Sequence, residues 1–300
     1  MNQVISKYNS VKLKAYLQLI RAPGIFSIIS NILASTYVYL FFVPSAEVSI
    51  ITLSTLLILS GLCYQSGMIL NDVADFIEDS RDRAFRPLPS GRLSRSFAIY
   101  CSVLFIAIAF ILALSINIFL AIAVLVLIVL ILTYNFLLKD SVFGPINMGL
   151  VRMVNWLLVM VSVQIFDHRM VWVASLVFIY TNIVTIVSRF ETIDFSEKIK
   201  PILFALVTLM TVISVYLILQ MNNGVMSLPL FAFLSWLIWQ VFSFTPQSSQ
   251  DTQQFVTVLL KSMVILDAVI LIFFNQIFLG VFCSMLILLS SKLAKYVYMT

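Results

Sequence analysis

The sequence predicts an all-α protein that crosses the membrane several times, with nine or ten transmembrane helices packed into one bundle. Two observations carry this prediction. Only 10% of the 300 residues are charged and 62% are hydrophobic, with a mean hydropathy of +1.09, whereas a soluble domain carries about 25% charged residues. The apolar residues also form runs of the length, about 20 residues, that a helix needs to cross a hydrocarbon core about 30 Å thick.

Continuous apolar runs favour helices over barrel strands, because a barrel strand shows alternation and a helix satisfies its own backbone hydrogen bonds in lipid. The predicted spans fall near residues 25–44, 48–70, 97–116, 118–138, 145–166, 171–189, 201–220, 227–244, 254–274 and 277–291. The separation of the last two rests only on Asn275-Gln276, so the count stays at nine or ten. Residues 1–300 are predicted to form a single domain.

The first 21 residues are basic and precede an apolar run that is too long for the core of a signal peptide. We therefore expect an interfacial lead-in over 1–21, lying on the membrane surface. Its basic residues are Lys7, Lys12, Lys14 and Arg21.

Lysine and arginine concentrate in alternate loops. With the spans counted from the N-terminus, the loops 71–96, 139–144 and 190–200 and the C-terminal tail share one side, and Arg169 is the only basic residue in a loop on the other. Excess Lys and Arg marks the cytoplasmic face, so we expect the charged loops to be cytoplasmic, in a membrane of bacterial type. The net charge of +5 favours anionic lipid as a partner rather than nucleic acid.

A cluster of charge follows the second span, where residues 71–94 read NDVADFIEDSRDRAFRPLPSGRLS. Asn71, Asp75 and Asp79 are four residues apart and share one side of a helix, and Asp72 widens it. Oxygen ligands crowded in this way suit Mg²⁺, which is usually held by one or two carboxylates plus substrate phosphates, and the arginines that follow suit bidentate phosphate contact. A solvated loop of mixed charge is the alternative, but it does not explain an acidic stripe beside lipid.

These residues resemble the UbiA superfamily of intramembrane prenyltransferases. NDVADFIED fits the family's N-D-x-x-D-x-x-x-D signature, and RAFRPLPSGRLS is similar to the segment that follows it there. RAPGIFSIISNILAS (21–35) resembles the first span, and LTYNFLLKDSVFGPINMGLVRMVNW (132–156) resembles the region of spans four and five. Together with SRFE, the first motif is most similar to the EboC-like branch.

The resemblance implies a bundle around a central cavity, which a prenyl diphosphate enters from the membrane. Two Asp-rich motifs would hold Mg²⁺ on the diphosphate, and the allylic cation formed there would alkylate an acceptor, often an aromatic ring. By position, the expected metal ligands of the first motif are Asn71, Asp75 and Asp79, with Asp72 as neighbour. The expected substrate contacts are Arg21 and Lys139 on the diphosphate, Tyr134 in the cavity, and Arg86 and Arg92 on the closing loop. Asp75, Asp79, Lys139 and Asp194 are the expected catalytic set.

The second motif departs from the family pattern. Glu191, Asp194 and Glu197 are spaced by three and follow Arg189, which we assign with them to the site. This spacing keeps Glu191 and Asp194 on adjacent sides of a helix, where they could hold a second ion. They could equally form a structural pair with Arg189 and Lys198.

The predicted spans include Arg152, Asn155, Lys261 and Asp267, and such residues usually face the interior of a membrane protein. Arg152 and Asn155 contact the diphosphate or acceptor in one interpretation, whereas in the other Arg152 extends to the cytoplasmic edge. Lys261 and Asp267, six residues apart, do not share a helix face, and either packing or cavity lining would explain them. His168, in a loop on the other side, is expected to have no catalytic role.

The leading hypothesis from the sequence is a Mg²⁺-dependent prenyltransferase that acts on a prenyl diphosphate and an acceptor expected to be aromatic. Two alternatives stay open. A terpene cyclase would use the same diphosphate site without an acceptor. A prenyl-lipid-binding or export protein would keep the fold without catalysis.

Overall fold

The computed structural model describes residues 12–190, 199–221, 224–246 and 248–298, and these segments are almost entirely helical. The helices are α1 (12–19), α2 (Ile25–Phe42), α3 (Ile50–Ala74), α4 (Phe76–Asp82), α5 (Arg95–Ile116), α6 (Ile118–Thr133), α7 (Gly144–Val163), α8 (His168–Ser188), α9 (Lys200–Met221), α10 (Leu228–Ser243), α11 (Ser249–Phe273) and α12 (Ile277–Tyr298).

Ten helical segments in the described part are long and apolar enough to cross a membrane, and their positions confirm the predicted runs. The uncertainty between nine and ten spans is resolved at residues 274–276. Asn275 adopts a left-handed conformation with φ 63°, which Asn tolerates better than most residues, and the Gln276 N–H donates to the Leu271 carbonyl at 2.9 Å. This tight turn separates α11 from α12, so the chain is an integral membrane protein with ten candidate spans.

The first span lies inside the bundle rather than at its edge. Helix α2 contacts α3, α7, α8, α11 and α12, so it joins helices from both halves of the chain. The core around it is dense and apolar, with Trp156 and Tyr180 among the largest fully buried side chains. Polar side chains on α2 are thereby placed against α7 and α11, far along the sequence.

The basic helix α1 packs against α3 and the loop after α4. Its Ala15 and Leu19 are buried in a small apolar cluster with Ile69 and Val73 of α3 and with Leu88 from the loop after α4. The expected interfacial lead-in therefore has one face that anchors it to the charged loop.

The opposite rim of the bundle carries a local ion pair. Arg169 contacts Asp167 and donates to the Phe42 carbonyl at 2.8 Å. The hydrogen bond from Arg169 is the main cause that lowers the pKa of the Asp167 carboxyl.

Candidate active site

The acidic motif spans a junction between two helices. Helix α3 ends at Ala74, Asp75 forms the link, and α4 begins at Phe76. Backbone hydrogen bonds nevertheless continue through the link, because the N–H groups of Asp75 and Asp79 donate to the carbonyls of Asn71 and Asp75 at 2.9 and 2.8 Å. The four-residue repeat expected for one helix thus persists although the helix is interrupted.

Two buried carboxylates of the motif converge on one guanidinium. Arg86 Nη1 lies 2.6 Å from Asp79 Oδ2 and 3.5 Å from Asp72 Oδ1. Arg21 Nη2 lies 3.2 Å from both Asp72 Oδ1 and Asn71 Oδ1. Asp72, expected only as a neighbour of the ligands, is therefore at the centre of the network, in which the two carboxylates are buried while Arg21 and Arg86 stay partly exposed.

Asp75 turns toward a different element. Its Oδ2 forms an ion pair with Lys139 Nζ, which directly follows a π-helical turn over Tyr134–Leu138. Tyr134 is half-buried and lies within electrostatic reach of Asp75, Arg21 and Arg189. The structure thus brings together predicted residues from four separate parts of the chain. A hollow of about 490 Å³ adjoins Asp75 and Lys139 on the outer side of α4.

Two predicted arginines have mainly backbone partners. Arg92 donates to the Phe85 carbonyl at 2.5 Å and to Ser90 Oγ at 2.9 Å, so it folds the loop after α4 onto itself, and burial lowers its pKa. Arg189 Nη2 donates to the carbonyls of Lys139, at 2.8 Å, and Ser141, so it braces the segment that carries Lys139.

The second acidic motif follows Arg189 in the chain. Glu191, Asp194 and Glu197 lie outside the described residues. Their role as ligands of a second ion therefore stays a prediction.

The donor chemistry of the first motif suits a hard cation. It consists of carboxylate oxygens and one amide oxygen, and Asp72 and Asp79 lie close enough to share one nitrogen. In the described part of the chain, no three acidic, histidine or cysteine side chains converge as a complete cage. The arrangement fits an ion held by one or two carboxylates together with phosphate oxygens, which is how Mg²⁺ is commonly bound.

A second polar cluster lies deeper in the bundle. Arg152 Nη2 of α7 donates to Ser27 Oγ of α2 at 2.9 Å, and Asn155 Nδ2 donates to Asn31 Oδ1 at 2.7 Å. These inward contacts contradict the interpretation that Arg152 extends to the membrane edge.

Asp267 belongs to the same cluster, because its Oδ2 accepts from Ser30 Oγ at 2.6 Å. Lys261 is exposed on the same helix, so the two residues serve different surfaces. Asp267 was not among the residues predicted for the site. The polar positions of the first span, at Ser27, Ser30 and Asn31, are a signal in the sequence that could have indicated a polar interior on that helix.

Comparisons with known proteins identify the family of this chain. The model of the UbiA prenyltransferase family matches residues 32–264. A digeranylgeranylglyceryl phosphate synthase from Sulfolobus acidocaldarius is 30% identical over 109 residues, which are 34% of this chain and 35% of that protein, so the match spans about a third of the relative.

Solved structures share the fold over nearly their whole length. A UbiA homologue from Archaeoglobus fulgidus matches with a TM-score of 0.65 and 17% identity, covering 88% of this chain and 99% of that one. The same homologue bound to GPP and Mg²⁺ matches with a TM-score of 0.65 and 16% identity over 88% and 99% of the two chains. With the family model matching more than two thirds of its residues, this chain belongs to the UbiA prenyltransferase family.

Proposed function

We propose that this protein is a Mg²⁺-dependent intramembrane prenyltransferase that transfers the isoprenyl group of a prenyl diphosphate to an aromatic acceptor. The observation that carries the proposal is the convergence of the first motif. Asp72 and Asp79 meet at Arg86, and Asp75 meets Lys139. An oxygen donor set interleaved with cationic side chains suits a diphosphate and its metal together. The A. fulgidus homologue bound to GPP and Mg²⁺ supports the same ligand class.

Each group in the motif has a role in this proposal. Asn71, Asp72, Asp75 and Asp79 would hold Mg²⁺, and Glu191 and Asp194 would hold a second ion. When bound, the metal neutralises the negative charge that grows on the leaving pyrophosphate. Arg21, Arg86 and Lys139 would donate to diphosphate oxygens, where fixed cationic groups stabilise charge that develops in the transition state.

Other residues would organise this site. Arg189 holds the backbone beside Lys139, and Arg92 holds the turn of the closing loop. Tyr134 would line the path from the diphosphate into the bundle. The apolar spans exclude water. An allylic cation requires this exclusion, because water would otherwise capture the cation before it reaches the acceptor. The distribution of Lys and Arg supports a cytoplasmic position for this rim.

The test uses the full chain in lipid nanodiscs with Mg²⁺ and C10, C15 or C20 prenyl diphosphates, with and without a panel of phenolic acceptors. Pyrophosphate and organic products are measured together, and EDTA serves as the metal-free control. Acceptor-dependent pyrophosphate release with a prenylated product supports the proposal. A hydrocarbon or terpene alcohol formed without acceptor would indicate a cyclase instead. Binding without release would indicate a prenyl-lipid-binding protein.

A further inference from the structure

The short segment that joins α1 to α2 carries Arg21, whose guanidinium contacts the acidic motif. The backbone of Arg21 is left-handed, with φ 44° and ψ 52°, and a single 3₁₀ turn over Ala22–Gly24 follows it before α2 begins. A residue with a side chain rarely takes this conformation, because its Cβ approaches the following carbonyl oxygen. Such a conformation persists where surrounding contacts impose it.

Helix α3 supplies one of these contacts. Gly24 lies so close to the Tyr64 hydroxyl of α3 that a Cβ at position 24 would overlap it. Pro23 is buried in the same turn, and its ring fixes φ. The turn therefore packs tightly against α3, which limits its movement in that direction.

The last helix, α12, supplies two further contacts. Ser290 Oγ donates to the Pro23 carbonyl at 2.9 Å, two positions after Arg21. Gln18 Nε2, three positions before Arg21, donates at 2.9 Å to the carbonyl of Val297, which lies in the last turn of α12, where carbonyls have no partner within the helix. The two contacts are about 10 Å apart along the helix axis. Helix α12 thus holds the chain on both sides of the left-handed residue.

Helix α12 contributes little to the apolar core. It is the least buried of the ten candidate spans in the described part of the chain, and it contacts α11, α2 and the turn Ala22–Gly24. The match to the family model begins at residue 32 and ends at residue 264, so the turn and α12 both lie outside it. A helix with so little buried surface, packed against the turn that follows Arg21, suits a positioning role.

We propose that α12 positions Arg21 for the prenyl diphosphate, and that Ser290 and Gln18 are the positioning residues through which it acts. This inference rests on the proposed function and deepens it, because it adds a helix outside the acidic motifs to the diphosphate site. Ser290 and Gln18 hold the backbone, and the Arg21 guanidinium contacts the diphosphate. Without these anchors, Arg21 relaxes to a right-handed conformation and its guanidinium leaves the motif.

The first experiment measures binding without turnover, in nanodiscs with Mg²⁺ and without acceptor. The probe is a prenyl thiolodiphosphate of C10, C15 or C20, whichever the wild type binds most tightly, because the bridging sulfur slows ionisation. Ser290→Ala removes the hydrogen bond to Pro23 and keeps a good helix former. One hydrogen bond shifts an equilibrium by about fivefold, and apparent affinity follows the population of the competent state, so Kd should rise about fivefold.

Two variants of the same helix serve as controls. Ser290→Thr keeps a hydroxyl and should restore the wild-type Kd. Ser284 is exposed, and its hydroxyl donates within α12 to the Gly280 carbonyl at 3.0 Å. Ser284→Ala therefore removes a helix serine that does not hold the turn, and its Kd should equal that of the wild type.

The second experiment separates a positioning role from a general effect on the bundle. Gln18→Ala alone should also raise Kd about fivefold, since it removes the other anchor. Ser290→Ala and Gln18→Ala are then each combined with Arg21→Gln in a double-mutant cycle. If both anchors act through Arg21, neither should change Kd by more than about twofold once Arg21 is replaced, which is the range in which independent effects add.

The outcomes distinguish this inference from the proposed function. A wild type that binds none of the prenyl thiolodiphosphates in a Mg²⁺-dependent manner would overturn the proposed function, and the inference with it. A wild-type Kd in Ser290→Ala, or a rise that persists in full in the Arg21→Gln background, would overturn the inference alone, because α12 would then not act through Arg21.

Discussion

Replacing Arg86 by Gln tests the network that holds the acidic motif together. Arg86 Nη1 lies 2.6 Å from Asp79 Oδ2, and the two side chains are 20% and 3% exposed. Gln removes the positive charge while keeping a polar side chain of moderate length. Asp79 then retains Arg83, whose Nη1 is 4.0 Å from Oδ1, and Asp72 retains Arg21 at 3.2 Å.

The magnitude follows from these contacts. Removing one partner of a fully buried ion pair costs about 3–5 kcal/mol, but Arg86 is partly accessible and both carboxylates keep a second cation. The cost should therefore approach that of one charged hydrogen bond, about 2 kcal/mol. For a chain of this size that corresponds to a decrease in Tm of about 2–4 °C.

The assay is thermal unfolding in nanodiscs, followed by tryptophan fluorescence, with EDTA or with Mg²⁺. A ligand at 100 times its Kd stabilises by about 2.7 kcal/mol. Because Arg86 no longer competes for Asp72 and Asp79, Mg²⁺ should raise the Tm of Arg86→Gln more than that of the wild type. Arg81→Gln, on the exposed side of α4, is the matched control. Equal Tm values and equal Mg²⁺ responses in the two variants would refute the assigned network.

Three further outcomes are expected from the same site. Asp75→Ala should abolish pyrophosphate release while the protein stays folded, because it removes a ligand and the partner of Lys139; a wild-type rate would contradict the metal assignment. Arg189→Gln should raise KM for the prenyl diphosphate severalfold, since Gln cannot reach both carbonyls that Arg189 Nη2 binds; an unchanged KM would mean that this brace does not position Lys139. His168→Ala should leave turnover unchanged within experimental error, because His168 is exposed at the start of α8 on the other rim.

Much of the fold could be predicted because the membrane imposes a simple rule. A span must be apolar for about 20 residues, so the runs of the sequence located the ten helices within a few residues. The four-residue spacing of Asn71, Asp75 and Asp79 likewise survived a helix interruption at Asp75, since the backbone hydrogen bonds continue across it.

The partners of the charged residues could not be predicted, because they depend on which helices become neighbours. The sequence placed Asp72 beside the ligands, and only packing brought it between Arg21 and Arg86. Arg189 was assigned to the site because it precedes the second acidic motif, whereas its guanidinium binds backbone carbonyls 50 and 48 residues away.

The sequence by itself determined that this chain crosses the membrane as a helical bundle and gathers oxygen and guanidinium groups at one rim, because hydropathy and helical spacing are local properties. The tertiary structure alone decided that Arg152 and Asp267, 115 positions apart in the printed sequence, both bind serines of α2 inside that bundle. This arrangement depends on α2 packing between α7 and α11, and contacts between distant segments leave no periodic signal along the chain.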